Sequence, residues 1–147
     1  MKCLSLHQPF ASLVILGAKR FETRSWQTEY RGPLLIHASR RFPEEARALC
    51  REEPFRSALL RGRYRQSADL PLGALLGIVE LEDCLPVTAV LHMLQNDPAE
   101  RAFGDYRRAR WAWRLARPRA LPRPRPFTGR LGLFDVPWQT ELPFPSA

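Results

Sequence analysis

The chain has 147 residues, the length of one ordinary domain that buries a core without disulfide or metal crosslinks. Hydrophobic residues make up 45% of it and charged residues 26%, which excludes an intrinsically disordered chain. The formal net charge of +8 favours polyanionic partners, of which nucleic acid is the most common in a cell. We therefore expect one globular domain over residues 1–147.

Neither a membrane span nor a disulfide framework is expected. No segment reaches the roughly 18 apolar residues of a membrane helix, and the first residues lack the apolar centre of a signal peptide. Three cysteines lie far apart, without the spacing of zinc ligands or secreted disulfides: Cys3, Cys50 and Cys84. We predict reduced thiols, no metal or other cofactor, no membrane partner and a cytoplasmic location.

The N-terminal half predicts strands alternating with helices. Period-two alternation or a short apolar run predicts strands at 2–6, 20–26 and 34–38. Proline near the start and glycine or a second proline at or after the end predict helices at 9–16, 43–53 and 54–62. A polar, arginine-rich loop is expected at 61–69.

The C-terminal half is richer in strand signals. Residues 73–84 predict a long central strand, 111–115 another and 131–136 a closing strand, with an extended polyproline-like segment at 118–126. Thr88 and Asp97 are predicted helix caps, the latter with Glu100 at the third helical position. Six or so strands without regular strand-helix-strand alternation predict a mixed α+β fold, mainly β: a small barrel with short flanking helices.

Lysine is rare in this basic chain, and Lys19 lies in its densest polar segment. Only Lys2 and Lys19 among the 23 basic residues are lysines. A lysine can lose its proton at modest cost and an arginine cannot, so Lys19 is the position of greatest functional interest. The alternative is an ordinary solvated lysine at the start of a strand.

Alternation along residues 20–26 sorts the side chains into two rows. Phe21, Thr23 and Ser25 share one face, and the other face carries Glu22, Arg24 and Trp26. Arginine can chelate a phosphate or a base edge, and a carboxylate can accept from an exocyclic amine. Together with Lys19 they predict a cleft for a nucleotide, and the alternative is a salt-bridge network on the barrel rim.

Aromatic residues and arginines cluster in the C-terminal third. Trp26, Trp111 and Trp113 could stack on bases, or could fill the core as large aromatics usually do. Eight arginines within 19 residues could follow a nucleic-acid backbone, or form a solvated basic face: Arg107, Arg108, Arg110, Arg114, Arg117, Arg119, Arg123 and Arg125. His7 and His37 lie near predicted strand ends. They could contact a ligand, or they could have a structural role.

Several motifs resemble one family. Gly17-x-Lys19-x-x-Glu22-x-Arg24 is similar to the G-x-K-x-x-E-x-R signature of the ASCH domain family, in the PUA-like superfamily. The segments 4–13, 30–39 and 73–77, Trp111-Ala112-Trp113 and Leu121-Pro122 resemble its longer branch, which includes a domain of a transcriptional coactivator. The resemblance implies a PUA-like barrel, a cleft beside the signature and a superfamily associated with RNA recognition.

The resemblance also implies two kinds of chemistry. A shorter ASCH branch resembles amidohydrolases that deacetylate a modified cytidine with a lysine and a threonine, and ribonuclease activity is a second possibility. Here Glu22 stands at the threonine position, which leaves Lys19 as general base, and only Glu80 and Glu82 are candidates for a further carboxylate.

Three functions follow as alternatives. The first is recognition of RNA, single-stranded nucleic acid or a modified nucleotide; the second is a small hydrolase acting on a modified pyrimidine nucleoside or on RNA. The third is a protein-interaction module that uses 118–126. Lys19 and Glu22 are the candidate catalytic residues, and the candidate ligand contacts are Lys19, Glu22, Arg24, Ser25, Trp26, His7, Trp111, Trp113 and Arg114.

Overall fold

Six strands form a single mixed sheet. The structure is a computed structural model that describes residues 1–138, and within them the strands are β1 (Lys2–Leu6), β2 (Phe21–Arg24), β3 (Gly32–Ala38), β4 (Ala74–Pro86), β5 (Trp111–Pro126) and β6 (Leu133–Asp135). Their order is β2-β5-β4-β3-β1-β6. The pair β1–β3 is parallel and the other pairs are antiparallel. The last part of the predicted domain, 139–147, lies outside the described residues.

Five short helices flank this sheet: α1 (Phe10–Ile15), α2 (Glu44–Leu49), α3 (Phe55–Arg61), α4 (Val87–Met93) and α5 (Pro98–Ala102), all within residues 1–138. No helix in this part of the chain has the length and apolarity needed to cross a membrane. The Asp97 cap is confirmed, because its side chain accepts from the Glu100 amide at 3.1 Å. The Thr88 cap is wrong, because β4 runs directly into α4 and Pro86 precedes the first turn.

The segment 118–126 is not a separate polyproline segment but the second half of β5, paired with β4. Proline lacks a backbone donor and is tolerated at bulges and sheet edges. Both conditions hold here. The β4–β5 register shifts between Leu75 and Gly77 and again between Ile78 and Glu80, and β2 pairs only with residues 111–114 of β5.

The sheet curls into a half-barrel, which confirms the predicted fold class. Its interior is apolar and includes Leu4, Leu34, Ile36, Val79 and Trp113. A second cluster joins α1 and α3 to the segment after α5, and a third packs α4 against β2 and β5. This packing leaves a hollow where β1 and β3 end beside β2. Three of the polar residues predicted as functional line it: His7, Glu22 and Arg24.

Candidate functional site

A cavity of about 840 Å³ opens at the ends of β1 and β3. Three stretches that are distant in sequence complete its wall: the residues that follow β3, the segment after α5 and the segment between β5 and β6. Its polar and charged lining residues are Ser5, His7, Glu22, Thr23, Arg24, His37, Ser39, Arg40, Arg41, Asp105, Thr128, Arg110 and Arg130. Within residues 1–138 no group of three His, Cys, Asp or Glu side chains is placed to hold a metal ion.

The cavity is strongly cationic. Five arginines line it, and its two carboxylates, Glu22 and Asp105, are already paired with cations. Three of the arginines form no salt bridge with the described residues: Arg40, Arg41 and Arg130. Like charges focused in a concave, partly desolvated surface favour an anionic ligand.

Strand β2 aims Glu22 and Arg24 into the cavity by its period-two geometry. The Arg24 Nε donates to Glu22 Oε2 at 3.0 Å, and Arg24 Nη2 donates to the backbone oxygen of Ser5 at 2.8 Å. Two fixed partners hold the guanidinium in one orientation. Its remaining donors can therefore meet a ligand without a large loss of side-chain entropy.

Lys19 lies behind Glu22 and does not line the cavity. Its side chain is 1% exposed, and its Nζ lies 3.5 Å from Glu22 Oε1 and donates to the backbone oxygen of Phe103. The Phe10 ring centroid is 5.5 Å from the same nitrogen. Burial lowers the pKa of Lys19, although Glu22 and Glu100 oppose that shift. The predicted trio therefore forms one ion network, of which only Glu22 and Arg24 reach the cavity.

The segment after α5 is tied to the free edge of β2. Asp105 N donates to Thr23 Oγ1 at 2.8 Å, and Arg110 Nη2 donates to the Thr23 backbone oxygen at 3.1 Å. Hydrogen bonds from Arg107 are the main reason that the pKa of Asp105 falls to about 2. These bonds cover an edge strand and fix one wall of the cavity.

Glu100 is a buried carboxylate. The sequence predicted it only as the third residue of a capped helix. It is 1% exposed; its Oε1 accepts from Arg20 N at 2.7 Å and from Arg20 Nε at 3.1 Å. Its Oε2 and the hydroxyl of Tyr106 have no hydrogen-bond partner among the described residues. Burial raises the pKa of Glu100. Glu100 thus anchors the start of β2 through Arg20.

A serine and a histidine form a hydrogen-bonded pair in the cavity wall. Ser5 Oγ lies 2.8 Å from His37 Nδ1, and His37 Nε2 lies 2.7 Å from the backbone oxygen of Phe127. A carbonyl oxygen only accepts, so Nε2 carries the proton and Nδ1 accepts from the serine hydroxyl. His37 was a candidate from its place at a strand end, whereas nothing in the sequence singled out Ser5. His7 also lines the cavity, with its Nδ1 3.2 Å from the Arg41 backbone oxygen.

The predicted tryptophan contacts lie elsewhere. Trp113 is 0% exposed and its indole packs edge-on against Trp26, with ring centroids 4.7 Å apart. Trp111 is half-buried against the same interior cluster. The core interpretation therefore replaces the stacking interpretation for Trp113, because a small barrel is filled by its largest side chain. Ser25 and Arg114 are exposed and, like the tryptophans, do not line the cavity.

The arginine-rich segment forms a second basic surface. Of its eight arginines, only Arg110 lines the cavity. Others lie exposed along β5, where Arg117 is 3.6 Å from Glu82 and Arg125 lies over the ring of Trp138. Sequence reasoning missed the cavity arginines Arg40 and Arg41 as contacts, although their position just after a predicted strand was the available signal.

Comparisons with known proteins agree on one family. The ASCH domain model matches residues 4–125. Activating signal cointegrator 1 from Homo sapiens and from Mus musculus are each 46% identical to the chain over 84 residues. Those residues are 56% of this chain and 14% of either relative, so the match spans about one seventh of their length.

Solved structures share the fold. The crystal structure of ASCH from Zymomonas mobilis has a TM-score of 0.56 and 15% identity, and the match covers 92% of this chain and 86% of that chain. A single-residue variant of the same protein gives a TM-score of 0.56 and 15% identity, with coverages of 92% and 88%. Because the family model matches most of the sequence, this chain belongs to the ASCH domain family.

Proposed function

We propose that this chain binds RNA or other single-stranded nucleic acid and takes one nucleotide, standard or modified, into the cavity beside β2. The observation that carries the proposal is the cationic lining: five arginines face a hollow whose two carboxylates are already ion-paired. The volume of about 840 Å³ lies within the range of small-ligand sites, roughly 300–1,000 Å³.

The lining offers separate groups for the two halves of a nucleotide. Arg40, Arg41 and Arg130 supply forked donors for phosphate oxygens. Glu22 has both oxygens engaged by Lys19 and Arg24, but a carboxylate has about four lone-pair sites and can still accept from an exocyclic amine. The site therefore has a cationic part for phosphate and an acceptor for a base.

The basic surface on β5 would hold the nucleotides on either side of the bound one. Its exposed arginines carry charge along an extended strand, which suits contact with a flexible phosphate backbone. Association of the ASCH family with RNA binding supports the same class of partner. The hydrolase alternative with Lys19 as general base gains no support, because that amine is buried behind Glu22.

The test measures fluorescence anisotropy of a labelled 12-nucleotide RNA at two salt concentrations. We expect the affinity of the unmodified chain to fall with salt, with a log–log slope of about −0.7 for each phosphate neutralised on a single strand. The double variant Arg40→Ala/Arg41→Ala should bind at least tenfold more weakly and have a shallower slope.

Arg56→Ala/Arg61→Ala is the matched control, since Arg56 and Arg61 are exposed arginines on α3 that do not line the cavity. It also loses two positive charges and should change the Kd by less than twofold. Binding that is independent of salt, or an equal loss in both variants, would show that general charge and not the cavity determines the affinity.

A further inference from the structure

Ser5 and His37 are brought together by the only parallel pair in the sheet of residues 1–138. Ser5 on β1 and His37 on β3 are register partners, and their side chains meet at 2.8 Å. Both residues line the cavity, close to the ends of their strands. A hydroxyl and an imidazole at hydrogen-bond distance in a ligand-sized hollow are the basic arrangement for nucleophilic catalysis.

The histidine is set in the tautomer that a general base needs. The Phe127 carbonyl accepts from Nε2 at 2.7 Å, which leaves the lone pair of Nδ1 facing the Ser5 hydroxyl. Burial lowers the pKa of His37, so the ring is neutral at neutral pH and available to take a proton. Phe127 thus plays the orienting part that a carboxylate plays in a Ser-His-Asp triad.

A cation lies beside the serine. The Arg24 Nη2 donates to the Ser5 backbone oxygen at 2.8 Å, and Arg24 itself lines the cavity. A guanidinium next to a nucleophile can stabilise negative charge that develops on a substrate oxygen. The three groups, namely nucleophile, base and cation, therefore share one wall.

We propose that Ser5 is a nucleophile toward carboxylic esters of ligands that enter this cavity, with His37 as its general base. The class of ligand, an acylated nucleotide, rests on the proposed function above; the chemistry of the pair does not. Ser5 Oγ bonds to the ester carbon while its proton moves to His37 Nδ1, and the carbonyl electrons collect on an oxygen beside Arg24. Collapse breaks the bond to the alcohol, which leaves with the proton from Nδ1.

Water completes the reaction. His37 Nδ1 takes a proton from a water molecule as the water oxygen attacks the acyl-serine carbon. The carboxylic acid then leaves, and Ser5 Oγ recovers its proton from Nδ1. The sum is one ester plus one water giving one alcohol and one acid, with no oxidant, reductant or metal.

The test uses two probes that do not depend on nucleic-acid binding. A fluorophosphonate reagent, followed by peptide mass spectrometry, should modify Ser5 and leave Ser57 unmodified, since Ser57 is exposed on α3 without a histidine partner. Hydrolysis of p-nitrophenyl acetate should be abolished in Ser5→Ala and fall at least 100-fold in His37→Gln. Ser57→Ala should hydrolyse the ester at the rate of the unmodified chain.

Labelling of the unmodified chain decides the proposal even where a variant fails to fold, and circular dichroism identifies such a variant. An unlabelled Ser5, or ester hydrolysis that persists in a folded Ser5→Ala chain, would overturn it. If either result is obtained with a chain that still binds RNA, the proposal that Ser5 is a nucleophile fails and the proposed function stands. If Ser5 is labelled in a chain that binds no RNA, the proposal that Ser5 is a nucleophile stands and the proposed function fails.

Discussion

The ammonium group of Lys19 and the backbone oxygen of Phe103, 84 residues apart in sequence, are joined by a buried hydrogen bond of 2.5 Å. It attaches the turn before β2 to the segment after α5. Since that segment supplies Phe103 and Asp105 to the cavity wall, one lysine holds two sides of the candidate site together. Its place in the signature motif has a structural explanation here, namely a buried ion network with Glu22.

Replacing Lys19 with methionine should destabilise the fold strongly. The change keeps side-chain length but leaves the Phe103 oxygen and Glu22 without their buried donor. Removing one partner of a buried ion pair costs about 3–5 kcal/mol where the remaining charge is uncompensated, and Arg24, which stays paired with Glu22, places Lys19→Met at the lower end of that range. Urea unfolding followed by circular dichroism measures the change.

Lys2 is the matched control, as the other lysine of the chain. Its salt bridge to Asp135 is on the surface, with the two side chains 38% and 76% exposed. Surface pairs contribute little, so Lys2→Met should change the free energy of unfolding by less than about 1 kcal/mol. Equal effects of the two substitutions would mean that Lys19 is no more structural than an ordinary surface lysine.

Replacing Trp26 with alanine should weaken the fold but not the binding of RNA. The indole packs edge-on against Trp113 and does not line the cavity. Loss of this packing should cost about 1–3 kcal/mol, of which the aromatic pair itself accounts for about 0.5–1.5 kcal/mol. Urea unfolding and RNA anisotropy are measured on the same preparation.

The neighbouring exposed residue provides the comparison for Trp26. Ser25→Ala should leave both the free energy of unfolding and the Kd within error. A stacked base contributes about 1–3 kcal/mol, so a stacking role would raise the Kd of Trp26→Ala roughly fivefold or more. That outcome would restore Trp26 as a ligand contact.

The features that the sequence predicted correctly depend on residues that are close together in the chain. Alternation along β2 placed Glu22 and Arg24 on one face, and the Asp97 cap followed from the geometry of a first helical turn. Glycine at the end of α1 was equally predictable, since Gly17 has a φ of +80°. These features depend on neighbours within a few residues.

The wall of the cavity depends on distant contacts, and the sequence did not predict it. Lys19 is buried beside Phe103, a residue far away in the sequence. Ser5 meets His37 only because β1 and β3 pair in parallel. Periodicity also cannot say which face of β5 is interior, which is why Trp113 remained open between core and ligand contact. Each of these choices requires the tertiary fold.

Replacing Gly129 with alanine should disturb the Ser5–His37 pair. A Cβ at this position would lie 2.5 Å from Ser5 Oγ and 2.6 Å from His37 Cε1, so the segment between β5 and β6 must shift. Overpacking of this kind costs about 1–3 kcal/mol. NMR of the His37 ring protons, together with urea unfolding, should show both a changed ring environment and reduced stability.

Gly132, in the same segment, separates the clash from general backbone effects. An added Cβ there meets nothing within 4 Å, but the φ of +67° disfavours any side chain. Gly132→Ala should therefore cost about 1–2 kcal/mol in stability and leave the His37 ring signals in place. Identical ring shifts in the two variants would argue against direct contact between Gly129 and the pair.

Stability should fall between pH 7.5 and pH 5.0 by a contribution that belongs to His37. Burial lowers its folded-state pKa below the ordinary 6.5, so the unfolded chain binds more protons in the interval between the two values. The contribution is complete above pH 6.5 and is lost as the pH falls through the folded-state pKa, by at most about 1.4 kcal/mol per pH unit for one proton.

The variant His37→Gln isolates this contribution from the other titrating groups. Burial raises the pKa of Glu100 and so gives a pH dependence of the opposite sign, but that dependence is common to both chains. Urea unfolding at each pH should therefore show the unmodified chain losing its advantage over His37→Gln as the solution is acidified. If the difference in unfolding free energy between the two chains stays constant with pH, the His37 ring is not kept neutral by its burial.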